Sequence, residues 1–550
     1  MSHVVYPRVG EINSLNAVQH DPRALLSWQA AEREDLRRAR TPQRFVDAPV
    51  ETTRDWSISL GTGGVAASMY PAKFGFDITA APSCANDFAV FPVNATGSAT
   101  QPNIVAFNNL YSGTNPTNGI CNRAVPPLGD NGTSATTFWS YNITAAGGKV
   151  TTSPALSLNG TKIAFVETGS GVAHFHVLAW KSGDGVDVTT PNAQNVLKPV
   201  SITSGFAALA PVAASGTVTD LVLGSANDTL SSPFVDYADD VAYIGNDSGV
   251  LFRVINVFCT TAACTGGGTP APSLDPLWGS AGALTIGGTC VGKLTGAVVD
   301  GGTGHILVGC ADGKVYGFTS AGAALANPSL TVGNGAATGG IVDPPMIDAV
   351  NGFLYAVAGA SAGGTSVVVQ AKTADLSSAV TATLGAGGSF SLHAPSLSSG
   401  YFSSLNSTHW LLYEWALNAA GTGIELYGST FSAGHIMNGG APADTLMVGG
   451  STPVEFSPTT EFLNGATDQL YVSGLTGVSP NFIDYNLTAF LALFPNSFPP
   501  VGATGSTATE TGGTSGIIID NTSGSAQASS IYFGAIGTNS AVKLTQSGLH

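Results

Sequence analysis

An internal repeat constrains this chain more than any other feature. A small residue, then Pro or Gly, then an apolar run ending in Asp, Asn or Ser, recurs along the sequence. It occurs as YPAKFGFD from Tyr70, SPALSLNG from Ser153, SPFVDYAD from Ser232 and TGAVVDGG from Thr295. It returns as PPMIDAVNG from Pro344, APSLSSG from Ala394, SPTTEFLNG from Ser457 and SGIIIDNT from Ser515. The eight copies are spaced by 83, 79, 63, 49, 50, 63 and 58 residues. A unit of about 45–50 residues with insertions in its loops fits a β-propeller blade.

The strands behind each copy support that unit. In the third, VAYIG and VLFRVINVF are joined by Asn246-Asp247-Ser248-Gly249, a turn signal between apolar strands. The fourth reads AVVD, GGTG, HILVGC, ADGK, VYGFTS, and the fifth MIDAVNG, FLYAVAG, SVVVQAK. A fourth strand carries Trp before the next motif, as at Phe138-Trp139-Ser140-Tyr141 and Leu277-Trp278-Gly279. The eighth copy is followed by SSIYFGAIG and AVKLTQSG only, so its outer strand is missing. Residues 55–61, DWSISLG, have the Trp of an outer strand and are expected to complete the last blade. Closure removes sheet edges that otherwise invite aggregation. The expected fold is all-β, an eight-bladed β-propeller over residues 55–550, with seven blades as the alternative.

Composition agrees. Gly and Pro make up 100 of the 550 residues, 10% are charged, and 43% are hydrophobic. That is too little charge for a large helical bundle and too much apolar surface for disorder. No apolar run reaches the length of a membrane-spanning helix. The net charge of −16 repels phosphate backbones, so nucleic acid is not an expected partner.

S-P-apolar, V-Y-x-G-N/D-x-D/S-G and L-apolar-A/V-apolar strands resemble the repeats of the PQQ-like, quinoprotein-type propellers. The family is commonly eight-bladed and closes with an N-terminal outer strand. YPAKFGFDITAAPSCANDFAVF and GGTSGIIIDN are also similar to uncharacterised bacterial extracellular proteins. PQQ itself is not expected. The dehydrogenases of this type place adjacent cysteines over the cofactor, and the chain has no Cys-Cys. No docking Trp recurs across most blades, so the repeat reads as architecture without the cofactor.

Six cysteines, none at zinc-finger spacing, read as disulfides in an oxidising compartment. The topology puts Cys84 and Cys121 on one rim, Cys259 and Cys264 across a short loop, and Cys290 and Cys310 on the opposite rim. Those three pairs are the expected bridges. A secreted or cell-surface location follows, although MSHVVYPRVG shows no signal peptide. Residues 1–54 stand outside the repeat. Asp21-Pro22 followed by RALLSWQAAEREDLRRAR reads as a capped helix with Leu25, Trp28 and Leu36 on one face. It is read as packing on the propeller or as a mobile leader, with partner or membrane docking as the sharper alternative.

Candidates for chemistry are few. The GxSxG match at Gly359–Gly363 lies between two strands, not at a strand-to-helix elbow, and is rejected. His174 and His176 share one face of a strand and are read as ordinary strand histidines. Asp77, Asn159, Asp236, Asp239, Asp300, Asp348, Glu461 and Asp520 end or follow the first strands. They read as turn caps first, and otherwise as calcium ligands or a catalytic pair acting on a glycan. Asp236, Asp239 and Asp240 are the densest group and the best calcium candidates. Nine N-x-S/T sequons match chance in so Ser/Thr-rich a chain and carry no weight. Stretches 181–230 and 265–289 read as long insertions between strands. The expected function is non-enzymatic binding or scaffolding of a protein or glycan outside the cell. The alternative is a carbohydrate-active hydrolase or lyase with its site in the central funnel.

Overall fold

Backbone alternation builds eight small sheets in chain order. The computed structural model describes residues 4–5 and 52–546 apart from loop segments, the longest being 488–506 and 122–134. Within these residues the protein is an eight-bladed β-propeller. The helix expected within residues 1–54 lies outside the described residues, as does Asp77. The described helix Ser399–Ser403 is a five-residue turn after the first strand of blade 6. Among the described residues no helix is long and apolar enough to cross a membrane.

The chain divides into two compact units, Thr53–Thr285 with Ser515–His550, and Ser2–Thr52 with Ile286–Thr514. The first holds blades 8, 1, 2 and 3. Blade 1 runs Ala72–Phe74, Phe88–Pro92, Ile104–Asn108 and Thr136–Tyr141 as one antiparallel sheet. Blade 2 starts at Ala155–Leu156 and is dominated by the hairpin Lys162–Gly169 and Val172–Ala179. Its outer pieces, Thr217–Val218 and Leu221–Val222, come from within 181–230. Blade 3 comprises Phe234–Asp236, Val241–Gly245 and Val250–Ile255, with Ser273–Leu274 and Ala283–Thr285 outside. Both stretches expected as insertions therefore supply outer strands. Their pairing segments are only two or three residues long between Gly and Pro, too short to show alternation.

Leu277-Trp278-Gly279 is a turn rather than the outer strand expected there. Asp275 accepts the Leu277 amide at 2.9 Å, and Pro276 has no amide to give a ladder. Trp278 still packs inward, edge-on to Tyr243 at 6.0 Å.

The eighth blade draws on both ends of the repeat region. Ile518–Asp520, Ser530–Ala535 and Ser540–Gln546 pair in order, and Thr52–Ser59 forms the outer edge. The outer strand thus begins three residues before the expected 55 and stops at Ser59. The β-branched Thr52 and Thr53 extend it, and Gly61, at φ +86°, turns the chain out of the ladder. Trp56 is fully buried against Phe91, Phe107 and Tyr532. Asp55 forms an ion pair with Lys543 at 2.5 Å, both side chains out of solvent.

The second unit holds blades 4 to 7. Blade 4 is Leu294–Asp300, His305–Cys310, Lys314–Phe318 and Ala324–Thr331. Blade 5 is Met346–Asp348, Phe353–Ala358, Thr365–Lys372 and Val380–Ala386. Blade 6 is built on Ser396–Leu397, Leu411–Leu417 and Ile424–Ser432. Blade 7 is built on Thr460–Asn464, Thr467–Leu475 and Phe482–Asn486. Blades 5 to 7 share one apolar core that includes Tyr355, Leu412, Trp415, Leu426 and Leu470.

The three expected disulfides are formed, Cys84–Cys121, Cys259–Cys264 and Cys290–Cys310, with Cα separations of 5.3, 5.3 and 6.1 Å. Each ties loops of one blade. Oxidised pairs are consistent with a protein working outside the reducing cytosol.

Candidate functional site

The ends of the first strands gather the acidic residues, so their partners decide what chemistry is open. Asp236 accepts the amides of Ala238 and Asp239 at 3.0 and 3.3 Å. Asp300 accepts the Gly302 amide at 3.0 Å and the Thr303 hydroxyl at 2.8 Å. Asp348 accepts the amides of Val350 and Asn351 at 3.1 and 3.0 Å. Asn159 accepts the Thr161 amide at 3.1 Å. These are side chains closing their own hairpins.

The calcium candidates are drawn apart by that use. Asp240 sits in the left-handed region at φ +55° and accepts the amides of Phe258 and Thr260 at 2.7 and 3.1 Å. It thereby brackets Cys259 and anchors the small disulfide loop. Burial holds its carboxyl above the ordinary Asp range, against the pull of those amides. Lys162 reaches the Phe258 carbonyl at 2.7 Å, and burial lowers its ammonium pKa. Asp236 faces its own turn, and Asp239 donates its amide to it. Among the described residues no group of three His, Cys, Asp or Glu side chains is arranged to hold a metal ion.

Several acids do more than cap a turn. They reach into the next blade. Asp348 receives the Tyr401 hydroxyl at 2.7 Å, and Tyr401 meets Tyr355 at 2.8 Å. Gln370 donates to Tyr355 at 3.0 Å and to the His435 carbonyl at 2.7 Å, linking blades 5 and 6. Burial, then the neighbouring hydroxyl and carboxylate, pushes the Tyr401 phenol far up, so it stays a donor. Between blades 6 and 7, Ser399 donates its amide to Glu461 at 2.7 Å and its hydroxyl to Asp468 at 2.5 Å. Burial and then Asp468 raise the Glu461 carboxyl.

Between blades 8 and 1, Asp520 pairs with Lys73 at 2.7 Å. Tyr111 donates to Asp87 at 2.6 Å and lies 3.2 Å from Asp520. Lys73 and Lys543 stand over the Tyr111 ring at 5.7 and 5.5 Å. Three carboxylates, counting Asp55 on Lys543, a tyrosine and two ammonium groups thus meet in one largely buried cluster.

A third cluster replaces the repeat's ordinary hydroxyl. Five residues before the hairpin aspartate, Ser231, Thr295 and Ser515 each accept the amide of a second-strand glycine, Gly245, Gly309 and Gly534, at 2.6, 3.0 and 2.8 Å. Blade 5 carries Asp343 at that position, and blade 6 carries His393 at the matching place in its motif, five residues before Ser398. There His393 Nδ1 lies 3.0 Å from Asp343, which also accepts the Ala394 amide at 2.9 Å. Glu414 in the next strand is buried beside them, and its Oε2 has no hydrogen-bond partner. Desolvation drives its carboxyl well above the ordinary range, so folding favours the neutral acid.

The His-x-His strand is an ordered element of blade 2. The two rings stack at 6.1 Å with 12° between planes, on one face as expected. His174 meets Asp220 at 2.6 Å, and His176 meets the Thr219 carbonyl at 2.7 Å and Glu167 at 3.0 Å. Both His176 nitrogens face oxygens, one a backbone carbonyl and one a carboxylate. His176, Lys198, Ser201 and Asp220 line a pocket of about 60 Å³ together with Ile143, Pro199 and Val218. Ser361 of the GxSxG match shares a hairpin contact with Thr365 at 3.1 Å, as its position between two strands predicts.

The legible signals were the acids and histidines. The glycine–hydroxyl ties and the Asp343–His393–Glu414 cluster were missed, although the offset of five residues before the hairpin aspartate carried the ties and Asp343.

No protein-family model matches the chain, and no curated protein matches it. Solved structures similar to it are propellers of low identity. BamB from Moraxella catarrhalis is 13% identical, with 90% of this chain and 99% of that chain covered and a TM-score of 0.40. Sqt1 from Chaetomium thermophilum is 10% identical over 91% and 99%, with a TM-score of 0.49. The C-terminal WD40 domain of Sif2 is 9% identical over 91% and 99%, with a TM-score of 0.45. The eight-bladed assignment rests on the sheets described above.

Proposed function

We propose that this chain is a non-enzymatic propeller of the PQQ-like repeat type, working by binding or scaffolding outside the cell. A propeller fold suits such a role in general, since it presents loops and strand edges on a rigid frame. One observation carries the choice against catalysis. Asp236, Asp240, Asp300, Asp348 and Asp520 at the first hairpins are buried and engaged with backbone amides, a tyrosine hydroxyl or a lysine. A group so engaged is not free to take a proton from a substrate. The partner class is a protein or a glycan. No role for a cofactor is part of this reading.

A second reading keeps a foothold at blades 8 and 1. Asp87 and Asp520 share Tyr111, and two carboxylates near a tyrosine are what glycan cleavage uses. A glycan array together with a polysaccharide-degradation screen on the purified chain separates the two. Binding without release of reducing ends supports the first reading. Turnover that disappears in Asp520→Asn, with the fold intact, selects the second.

A further inference from the structure

The first strand of a propeller blade has one neighbour in its own sheet, so its inner edge leaves backbone donors and acceptors facing the axis. Among the described residues, blade 5 is the one blade whose first strand carries a further strand on that edge. The added strand is Val4–Val5, parallel to Met346–Asp348, with Val4 opposite Ile347 and Val5 opposite Asp348. It also runs alongside the first strand of blade 4, Leu294–Asp300.

We propose that the inner edge of blade 5 is a β-augmentation site for an extended, uncharged, β-branched segment of a partner protein, and that the chain's own Val4–Val5 strand is its resident competitor. The inference rests on the binding reading above. Three observations carry it. The edge is preformed: Met346, Ile347 and Asp348 are buried, and Asp348 is pinned by Val350, Asn351 and Tyr401. The occupant is short. Two paired residues bring few backbone bonds against the entropy of ordering them. The occupant is tethered, 46 residues separating Val5 from the outer strand that starts at Thr52. Covalent attachment raises the occupant's effective concentration, enough to fill a weak site yet open to displacement by a longer segment. Main-chain bonds supply the affinity in this mode, and alternate side chains the selectivity.

The test uses the full-length chain and a synthetic peptide of residues 1–10. In Val4→Pro/Val5→Pro the resident strand cannot pair. Saturation-transfer NMR is expected to show the peptide binding this variant at least tenfold better than the wild type, while a peptide carrying both prolines binds neither. A variant with wild-type melting behaviour that does not bind the peptide overturns the proposal. A second measurement avoids the proline variant. A photoreactive side chain at position 5 is expected to crosslink to segment 344–350, with a yield that falls at least tenfold under saturating peptide. An unchanged yield overturns it. A partner found by the glycan or protein screens but bound elsewhere leaves the binding reading intact and sinks only this site.

Discussion

A hydroxyl and a glycine amide, repeated five residues before the hairpin acid, hold the first strand of several blades to the second. In blade 4 a Cβ on Gly309 meets Ile341 at 2.7 Å and Thr295 at 3.0 Å, so only glycine lets the amide reach the hydroxyl. Thr295→Ala leaves the Gly309 amide without that acceptor and is expected to lower the unfolding free energy by about 1–3 kcal/mol. Denaturant unfolding checks it through a lower midpoint at unchanged slope. The buried acids make a prediction in pH. Glu414 and Glu461 have folded pKa values raised by burial, so their contribution is full below the ordinary Glu range, about 4.3, and is lost as pH rises through the raised values. Glu414→Gln is expected to raise stability at pH 8 by about 1–3 kcal/mol and to flatten the fall in melting temperature between pH 5 and pH 8. A mutant slope equal to the wild type's would contradict the assignment. At this scale the sequence showed the carboxylates and the turns they cap. It did not show Asp348 reaching Tyr401, because that contact depends on blade packing rather than on neighbours in the chain.

Strands and loops were legible where hairpins are long and alternate, as in Lys162–Gly169 with Val172–Ala179 and in Phe353–Ala358 with Thr365–Lys372. They were lost where an outer strand shrinks to two residues, as at Thr217–Val218, since such a piece has no period to read. The disulfides belong to this scale. Sequence separations of 37, 20 and 5 residues imply roughly 4, 3 and 2 kcal/mol from loop closure for Cys84–Cys121, Cys290–Cys310 and Cys259–Cys264. Paired Cys→Ser variants are expected to lose thermal stability in that order, and the reverse order would discard the loop-closure account. The small loop also bears on calcium. Asp240 holds its backbone directly, so a chelator is expected to leave the melting temperature unchanged. A drop of several degrees, restored by calcium, would reinstate a bound ion near Asp236.

In the whole molecule, eight similar units were readable because each copy repeats the same small-residue, Pro/Gly and apolar signature. The eighth unit is the one that depends on distant parts of the chain, through the outer strand Thr52–Ser59 on Ser540–Gln546. Its buried ion pair joins Asp55 to Lys543, so Asp55→Asn removes the charge that balances a buried ammonium and is expected to cost about 3–5 kcal/mol. Replacing both partners with apolar residues of similar size should recover much of that loss. Amide hydrogen exchange read by mass spectrometry tests the eighth blade most directly. Segments 52–59 and 540–546 are predicted to exchange together, as slowly as the core strands of blade 1. Rapid exchange of 52–59 beside a protected 540–546 would contradict an eighth blade completed by the chain's first repeat-associated strand.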